Sequence, residues 1–384
     1  MMTSETRQPE PLPLTSLARK VLALQNPLTY AHAAHDVVCR ETHMSFIFLA
    51  GAFAYKLKKP VRYAYLDFST IPLRRKACMA EVELNRRLAP DVYLGVVALV
   101  LSPAGMRLGS DDDSEILDWL VKMRRLDEKD TLENALRDAT AKAADFERVA
   151  SVLRGFYKRA RRVRRSGPAY VEAWRRSLVD NRTVLVEPAL GLPRGLVHYV
   201  CRVQQRYLHE AGADLAARAK SGCIVDGHGD LRPEHIWLTD PVRIIDCLEF
   251  NALLRAVDPL DEVAFLSVEC ERLDHPEAGE YFRRRLGPPA TDAALTSVYF
   301  FYRCHRATLR ARLAIAHLLE PHPRTPDKWP RLARTYLRLA YGDARKLECR
   351  LRLRSRRSPS RRDFQGRTTL ALAEGGGSSC TNIC

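Results

Sequence analysis

Near residue 124 the periodicity of this chain changes, and that change restricts the fold more than any other feature. Before it the pattern is short and strand-like. Residues 37–40, 45–50 and 54–58 run apolar or alternate, with Gly51-Ala52-Phe53 as a turn between the last two. One helical pattern, 73–88, follows. Two more strand-like segments, 92–101 and 116–121, flank a Pro-Ala-Gly and Ser-Asp-Asp-Asp-Ser loop. After it helical patterns dominate, at 131–165, 194–220, 258–273, 290–319 and 331–351, with one β-rich interruption at 224–249. A small sheet carrying one helix, followed by a mostly helical half, predicts an α+β, two-lobed chain. The expected boundaries are a flexible lead over 1–20, with a short helix candidate at 17–24, a β-rich small lobe over 21–122, a helical large lobe over 123–352 and a disordered Arg/Ser- then Gly/Ser-rich tail over 353–384.

The 384 residues suffice for two lobes sharing a cleft, and they carry a net charge of +16. From Arg350 onward eight Arg face only Asp363 and Glu374, so the tail holds +6 of that excess. A basic balance suits phosphate-bearing partners without choosing between nucleotide and nucleic acid. No basic, aromatic-interleaved reading motif accompanies it, which makes a nucleic-acid partner for the tail the weaker alternative. The first residues are polar and Pro-rich, so no secretory leader is expected. The apolar runs at 46–55 and 92–101 fall short of the roughly 18 residues a spanning helix needs, so a cytoplasmic chain without a membrane partner is expected. Ten Cys without a CxxC pair argue against a zinc site and a disulfide framework.

The most informative stretch is His228-Gly229-Asp230-Leu231-Arg232-Pro233-Glu234-His235-Ile236-Trp237-Leu238, continuing Thr239-Asp240-Pro241-Val242-Arg243-Ile244-Ile245-Asp246. A loop leads into a short apolar strand, a Thr-Asp-Pro turn reverses the chain, and a second strand ends on Asp246. Such a hairpin brings residues 235 and 246 together with Asp230 beside them. Phosphoryl transfer needs that layout: one carboxylate to take the proton of the attacking hydroxyl, and others to hold a metal on the nucleotide phosphates.

This stretch resembles the aminoglycoside phosphotransferase signature, His-Gly-Asp-x-x-x-x-Asn followed by an Asp at a strand end, also shared by choline kinases. The resemblance covers about residues 30–320 and implies a bilobal protein-kinase-like fold. It implies Asp230 as catalytic base and Asp246 as the main metal ligand, with His228 and Gly229 shaping the loop. The family's metal-binding Asn falls at His235, a nitrogen ligand where Mg2+ prefers oxygen. His235 therefore implies either a modified metal site, suited to Mn2+, or a catalytically impaired nucleotide-binding module. Some longer proteins of this kind carry a P-loop domain after the kinase-like part; here no Walker-type motif occurs, and that region is the short tail.

In such folds a strand Lys grips the phosphates and pairs with a Glu on the small-lobe helix. Period-two alternation over 54–60 puts Lys56 and Lys58 on one face and Tyr55 and Leu57 on the other, so both lysines are candidates, with Lys56 preferred for its place after the turn. On the helix the apolar face reads Leu73, Ala77, Ala80, Leu84, Leu88, with Glu81 on its margin as the partner. A salt bridge from Glu81 to Arg74 or Arg86 is the plainer alternative. The turn 41–45 has no glycine, so Thr42 and Ser45 either cover phosphate or simply close a polar turn. The segment 119–121 is expected to offer backbone hydrogen bonds to the base. Between Asp246 and Glu271 seven acids stand against Arg255, readable as a wall for cations or as a helix start suited to the dipole. The expectation is thus an ATP- or GTP-dependent kinase of a small-molecule hydroxyl, using Mg2+ or Mn2+.

Overall fold

The structure, a computed structural model, describes residues 16–63, 65–113, 115–320, 323 and 325–357. Six strands form one antiparallel sheet: β1 (Val37–Glu41), β2 (Ser45–Ala50), β3 (Phe53–Lys58), β6 (Tyr93–Ser102), β7 (Gly105–Gly109) and β8 (Ile116–Arg124), in the order β1-β2-β3-β8-β6-β7. Two-residue ladders pair β4 (Arg62–Tyr63) with β5 (Leu66–Asp67), β9 (Val225–Asp226) with β12 (Ala256–Val257), and β10 (Ile236–Trp237) with β11 (Arg243–Ile244). Strand β7 was not expected; its Gly105-Met106-Arg107-Leu108-Gly109 alternates, but the flanking turn residues masked the signal.

Helix α1 (Leu17–Gln25) covers one face of the sheet, where Leu24, Phe48, Tyr55, Leu57 and Leu120 pack together. Helix α2 (Ile71–Asn85) covers the other, where Ala54, Cys78, Val82, Trp119 and Val121 meet. A buried ion network ties both helices to β8. Asp118 receives Lys20 of α1 at 2.7 Å and Arg74 of α2 at 2.7 and 2.8 Å. The lead expected to stay flexible through residue 20 therefore ends earlier, because Ser16 caps α1 and Lys20 is buried on Asp118.

The chain gathers into two compact units. One takes residues up to Lys158 with His228–Arg255, and the other takes Arg159–Gly227 and the chain from Ala256 onward. Within the first, α3 (Leu132–Arg137) and α4 (Ala143–Arg159) replace the single helix expected over 131–165. Ala139 turns left-handed at φ 52°, and the amides of Thr140 and Ala141 both return to the Ala135 carbonyl. The short α8 (Ala252–Arg255) ends this unit. The second unit is helical: α5 (Gly167–Leu185), α6 (Arg194–Glu210), α7 (Gly212–Lys220), α9 (Pro259–Arg272), α10 (Pro276–Leu286), α11 (Ala293–Ala316) and α12 (Lys328–Arg357). The expected disordered tail began at 353, but α12 runs on to Arg357; the remainder of that tail lies outside the described residues. No helix among the described residues is long and apolar enough to cross a membrane.

Candidate active site

The pleat of β3 sends Ala54, Lys56 and Lys58 toward α2 and buries Tyr55 and Leu57 under α1. Helix α2 meets them with Arg74, Ala77, Cys78, Glu81, Val82 and Asn85, all buried. The face expected from apolar spacing is thus rotated: Leu73 is exposed, and Glu81 lies fully buried rather than on a margin. Its three polar members decide this, since each finds a fixed partner. Arg74 takes Asp118, Asn85 accepts the Cys247 amide at 2.8 Å, and Glu81 takes both lysines.

Glu81 receives Lys56 on Oε1 at 2.9 Å and Lys58 on Oε2 at 2.6 Å. Lys56 also reaches Asp246 Oδ1 at 2.7 Å, and Lys58 reaches Glu249. Burial works against every charge here. Even so, Asp246, Glu81 and Glu249 raise Lys56 well above the usual lysine value. Burial would also raise Asp246, but Lys56, then His235 and Arg232, hold it well below the usual carboxylate range. Two ammonium groups face three carboxylates. The shortfall falls on Glu249, which burial pushes up and Lys58 only partly offsets.

Asp246 sits at φ 64°, left-handed backbone that a non-glycine residue rarely adopts and that costs of order 1 kcal/mol or more. Its amide donates to the Tyr93 hydroxyl at 3.2 Å, and the next amide is the one held by Asn85. The β10–β11 hairpin that carries it is pinned as well. Arg243 forks onto Asp91 at 2.7 and 3.0 Å, and the Trp237 indole donates to the Asp127 carbonyl at 3.0 Å.

The loop ahead of the hairpin folds around Gly229, at φ 89°, where a Cβ would stand 3.0 Å from Leu248. His228 is buried. Burial, then the neighbouring His235, pushes its pKa down to about 4, so it is neutral at pH 7. It bonds the Ile245 carbonyl through Nε2 at 2.9 Å and accepts the Asp230 amide on Nδ1 at 3.3 Å. Asp230 faces Arg232, whose Nε lies 3.0 Å and Nη2 2.9 Å from Oδ2. His235 bonds the Asp230 carbonyl oxygen through Nδ1 at 2.9 Å. A carbonyl only accepts, so Nδ1 carries a proton, which leaves Nε2 as the ring nitrogen outside that bond. That Nε2 is 3.6 Å from Asp246 Oδ2 and 3.2 Å from Arg232 Nη2.

The residues that could hold a divalent cation are Asp246 and His235, whose carboxylate oxygen and ring nitrogen lie 3.6 Å apart; an oxygen and nitrogen pair would suit Mn2+ better than Mg2+. Beside them opens a cavity of about 670 Å3, lined by Ile47, Leu49, Ala54, Met123, Leu126 and Ile245 among others. Ala54 shares the face of Lys56, and Ile245 precedes Asp246, so the apolar wall runs into the charged cluster. The backbone expected at 119–121 does not line this cavity. Those residues lie inside β8, with Leu120 and Val121 paired to Leu57 and Lys56 on one side and to Val97 and Val96 on the other, so their amides are committed to the sheet. The strand runs to Arg124, and the cavity edge is formed by residues 123–128. The Thr42 hydroxyl is spent closing its own turn with Ser45.

The acid run after Asp246 divides. Glu249 joins the lysines, whereas the acids of α9 serve the second unit. Asp258 caps α9 and pairs with Arg218, Asp261 pairs with Arg306, Glu269 with Arg272 and Arg310, and Glu271 with Arg303. These four carboxylates, engaged by arginines, form no open wall for a cation. Sequence reasoning missed Arg232, Asn85, Tyr93 and Glu249. Asn85 follows Glu81 by four on the same helix face and was legible; Tyr93 carried no signal, because its partner lies 153 residues away.

No family model matches the chain. Uncharacterized proteins of Mycobacterium bovis and of Mycobacterium tuberculosis H37Rv are 33% identical to it over 303 residues, covering 76% of this chain and 58% of theirs. The chain thus spans little more than half the length of these relatives. Among solved structures, a choline/ethanolamine kinase family protein from Mesorhizobium loti aligns with a TM-score of 0.51 at 16% identity, over 84% of this chain and 93% of that one. A choline kinase from Cryptosporidium parvum aligns with a TM-score of 0.51 at 12% identity, over 88% and 98%. The chain has the α+β kinase-like fold of these proteins, as the resemblance in its sequence implied.

Proposed function

We propose that this chain is a phosphotransferase that uses ATP or GTP to phosphorylate a hydroxyl group of a small molecule. The observation that carries the reading is the convergence of Lys56, Glu81, His235 and Asp246, with Asp230 on the adjoining loop, beside a cavity with an apolar wall within one unit. The fold shared with a choline/ethanolamine kinase family protein and a choline kinase is compatible with this reading but assigns no reaction by itself. The base would lie in the cavity, with its polar edge toward the backbone at 124–127. Lys56, kept in place by Glu81, would exchange Asp246 for phosphate oxygens. A divalent cation bound by Asp246 and His235, Mg2+ or Mn2+, would supply charge neutralisation for the transferring group. Asp230 would orient the acceptor hydroxyl and take its proton, while Arg232 turns from Asp230 toward the incoming charge.

The test is nucleotide consumption across a panel of amino alcohols, aminoglycosides and sugars, with Mg2+ and with Mn2+. Acceptor-dependent release of ADP or GDP supports the reading. A second reading, a nucleotide-binding regulatory module without turnover, is favoured by His235 at the metal site. Metal-dependent nucleotide binding with no consumption on any acceptor would establish that reading instead.

A further inference from the structure

Two ion pairs run in parallel from β3 to the loop after β11. Lys56 and Lys58 leave the same side of the strand, about 6.6 Å apart along it. The loop answers with Asp246 and, three residues on, Glu249. Lys56 meets Asp246 at 2.7 Å, Lys58 meets Glu249, and Glu81 joins the two rungs with one oxygen on each lysine. The rungs differ in access. In the outer one the side chains of Lys56 and Asp246 are 13% and 43% exposed; in the inner one Lys58 and Glu249 are 1% and 7% exposed. The inner rung is also braced. The Lys58 ammonium lies 4.9 Å from the centre of the Phe68 ring, and Arg255 donates to the Leu248 carbonyl, next to Glu249, at 2.7 Å.

A ligand arriving from solvent reaches only the outer rung. If that ligand is a nucleotide with its metal, Lys56 and Asp246 must part, one toward phosphate and the other toward the cation. The loop then loses its outer tie to the sheet while Asp246 still has to hold a strained backbone. We propose that Lys58 and Glu249 are a positioning pair, an inner anchor that keeps the metal-binding loop in register with β3 while the outer pair opens. This rests on the phosphotransferase reading of the site. Lys58 is then no phosphate ligand, since its ammonium is sealed between Glu81 and Glu249.

The test is calorimetric titration of a non-hydrolysable ATP analogue with MnCl2 and with EDTA, reading the gain in affinity that the metal brings. Glu249→Gln and Lys58→Met should each leave binding in EDTA within about twofold and cut the metal-dependent gain about tenfold, the weight of one charge-assisted contact. The double variant should equal either single rather than their product, and Lys58→Arg should recover most of the gain. Equal weakening with and without metal means a structural role and overturns the assignment. Lys58→Met leaves the Glu249 carboxylate buried without its cation and can fail to fold, whereas Glu249→Gln leaves Lys58 on Glu81. The double variant removes both charges, so it carries the test alone. Folded with a reduced gain, it supports the anchor; folded with a full gain, or unable to fold, it overturns it. Wild-type protein with no metal-dependent affinity overturns the phosphotransferase reading and the anchor with it. A wild-type gain that the variants preserve overturns the anchor alone.

Discussion

Nε2 of His235 stands 3.6 Å from Oδ2 of Asp246 and 3.2 Å from Nη2 of Arg232, while Nδ1 is committed to the Asp230 carbonyl. This places a nitrogen donor where the resembling families have an amide oxygen. His235→Asn would supply an oxygen instead. We expect the variant to keep or improve Mg2+-supported transfer and to lower the Mn2+-to-Mg2+ activity ratio. A folded, nucleotide-binding variant that loses transfer with both ions would mean that the imidazole has its own role at the acceptor.

Asp246 is ionised, and Lys56, His235 and Arg232 favour that state. Asp246→Asn keeps the shape and removes the charge. Nucleotide affinity should then become the same in EDTA and in saturating Mn2+, because the metal loses its main anionic ligand. Retained metal dependence would place the cation elsewhere.

Asp230 is held by Arg232 at 2.9 Å and lies 3.8 Å from His235 Nδ1. Asp230→Asn should preserve nucleotide affinity and lower kcat by at least ~10²-fold, the scale of a general base. Single-turnover transfer at the wild-type rate would remove Asp230 from the chemistry.

Lys56 is the lysine a ligand can reach. Lys56→Met should weaken nucleotide binding roughly tenfold or more both with and without metal, the loss of one charge-assisted hydrogen bond. This separates it from Lys58, whose effect is expected only when metal is present. Equal affinity of the Lys56 variant and wild type in EDTA would exclude it as the phosphate grip.

His228 is neutral in the folded chain, with a pKa near 4 set by burial and by His235. Unfolded, it titrates near 6.5. Its contribution is therefore complete above pH 6.5 and is lost as pH falls toward 4, because the unfolded chain takes up the proton first. Across that window it should cost about 1.4 kcal/mol per pH unit. Denaturant melts of wild type and His228→Asn at pH 4.5, 5.5 and 6.5 should show a shallower slope for the variant; identical slopes would assign the acid sensitivity to other groups.

The sequence alone determined the parts that are local. Alternation in 54–58 put Lys56 and Lys58 on one face, since strand side chains alternate whatever surrounds them. The turn at Thr239-Asp240-Pro241 forced a hairpin, and a hairpin of that length brings residue 235 to residue 246. What it could not determine was which side chains meet from far apart in the chain. The buried face of α2 was misjudged because apolar spacing weighs only hydrophobic burial, while Arg74, Glu81 and Asn85 are buried by partners that arrive from Asp118, from β3 and from Cys247. The acids after Asp246 read alike in sequence. Only the tertiary structure gave Glu249 to Lys58 and Asp258, Asp261 and Glu271 to Arg218, Arg306 and Arg303, because a carboxylate's role is set by the nearest cation in space, and for these four that cation lies 32 to 191 residues away along the chain.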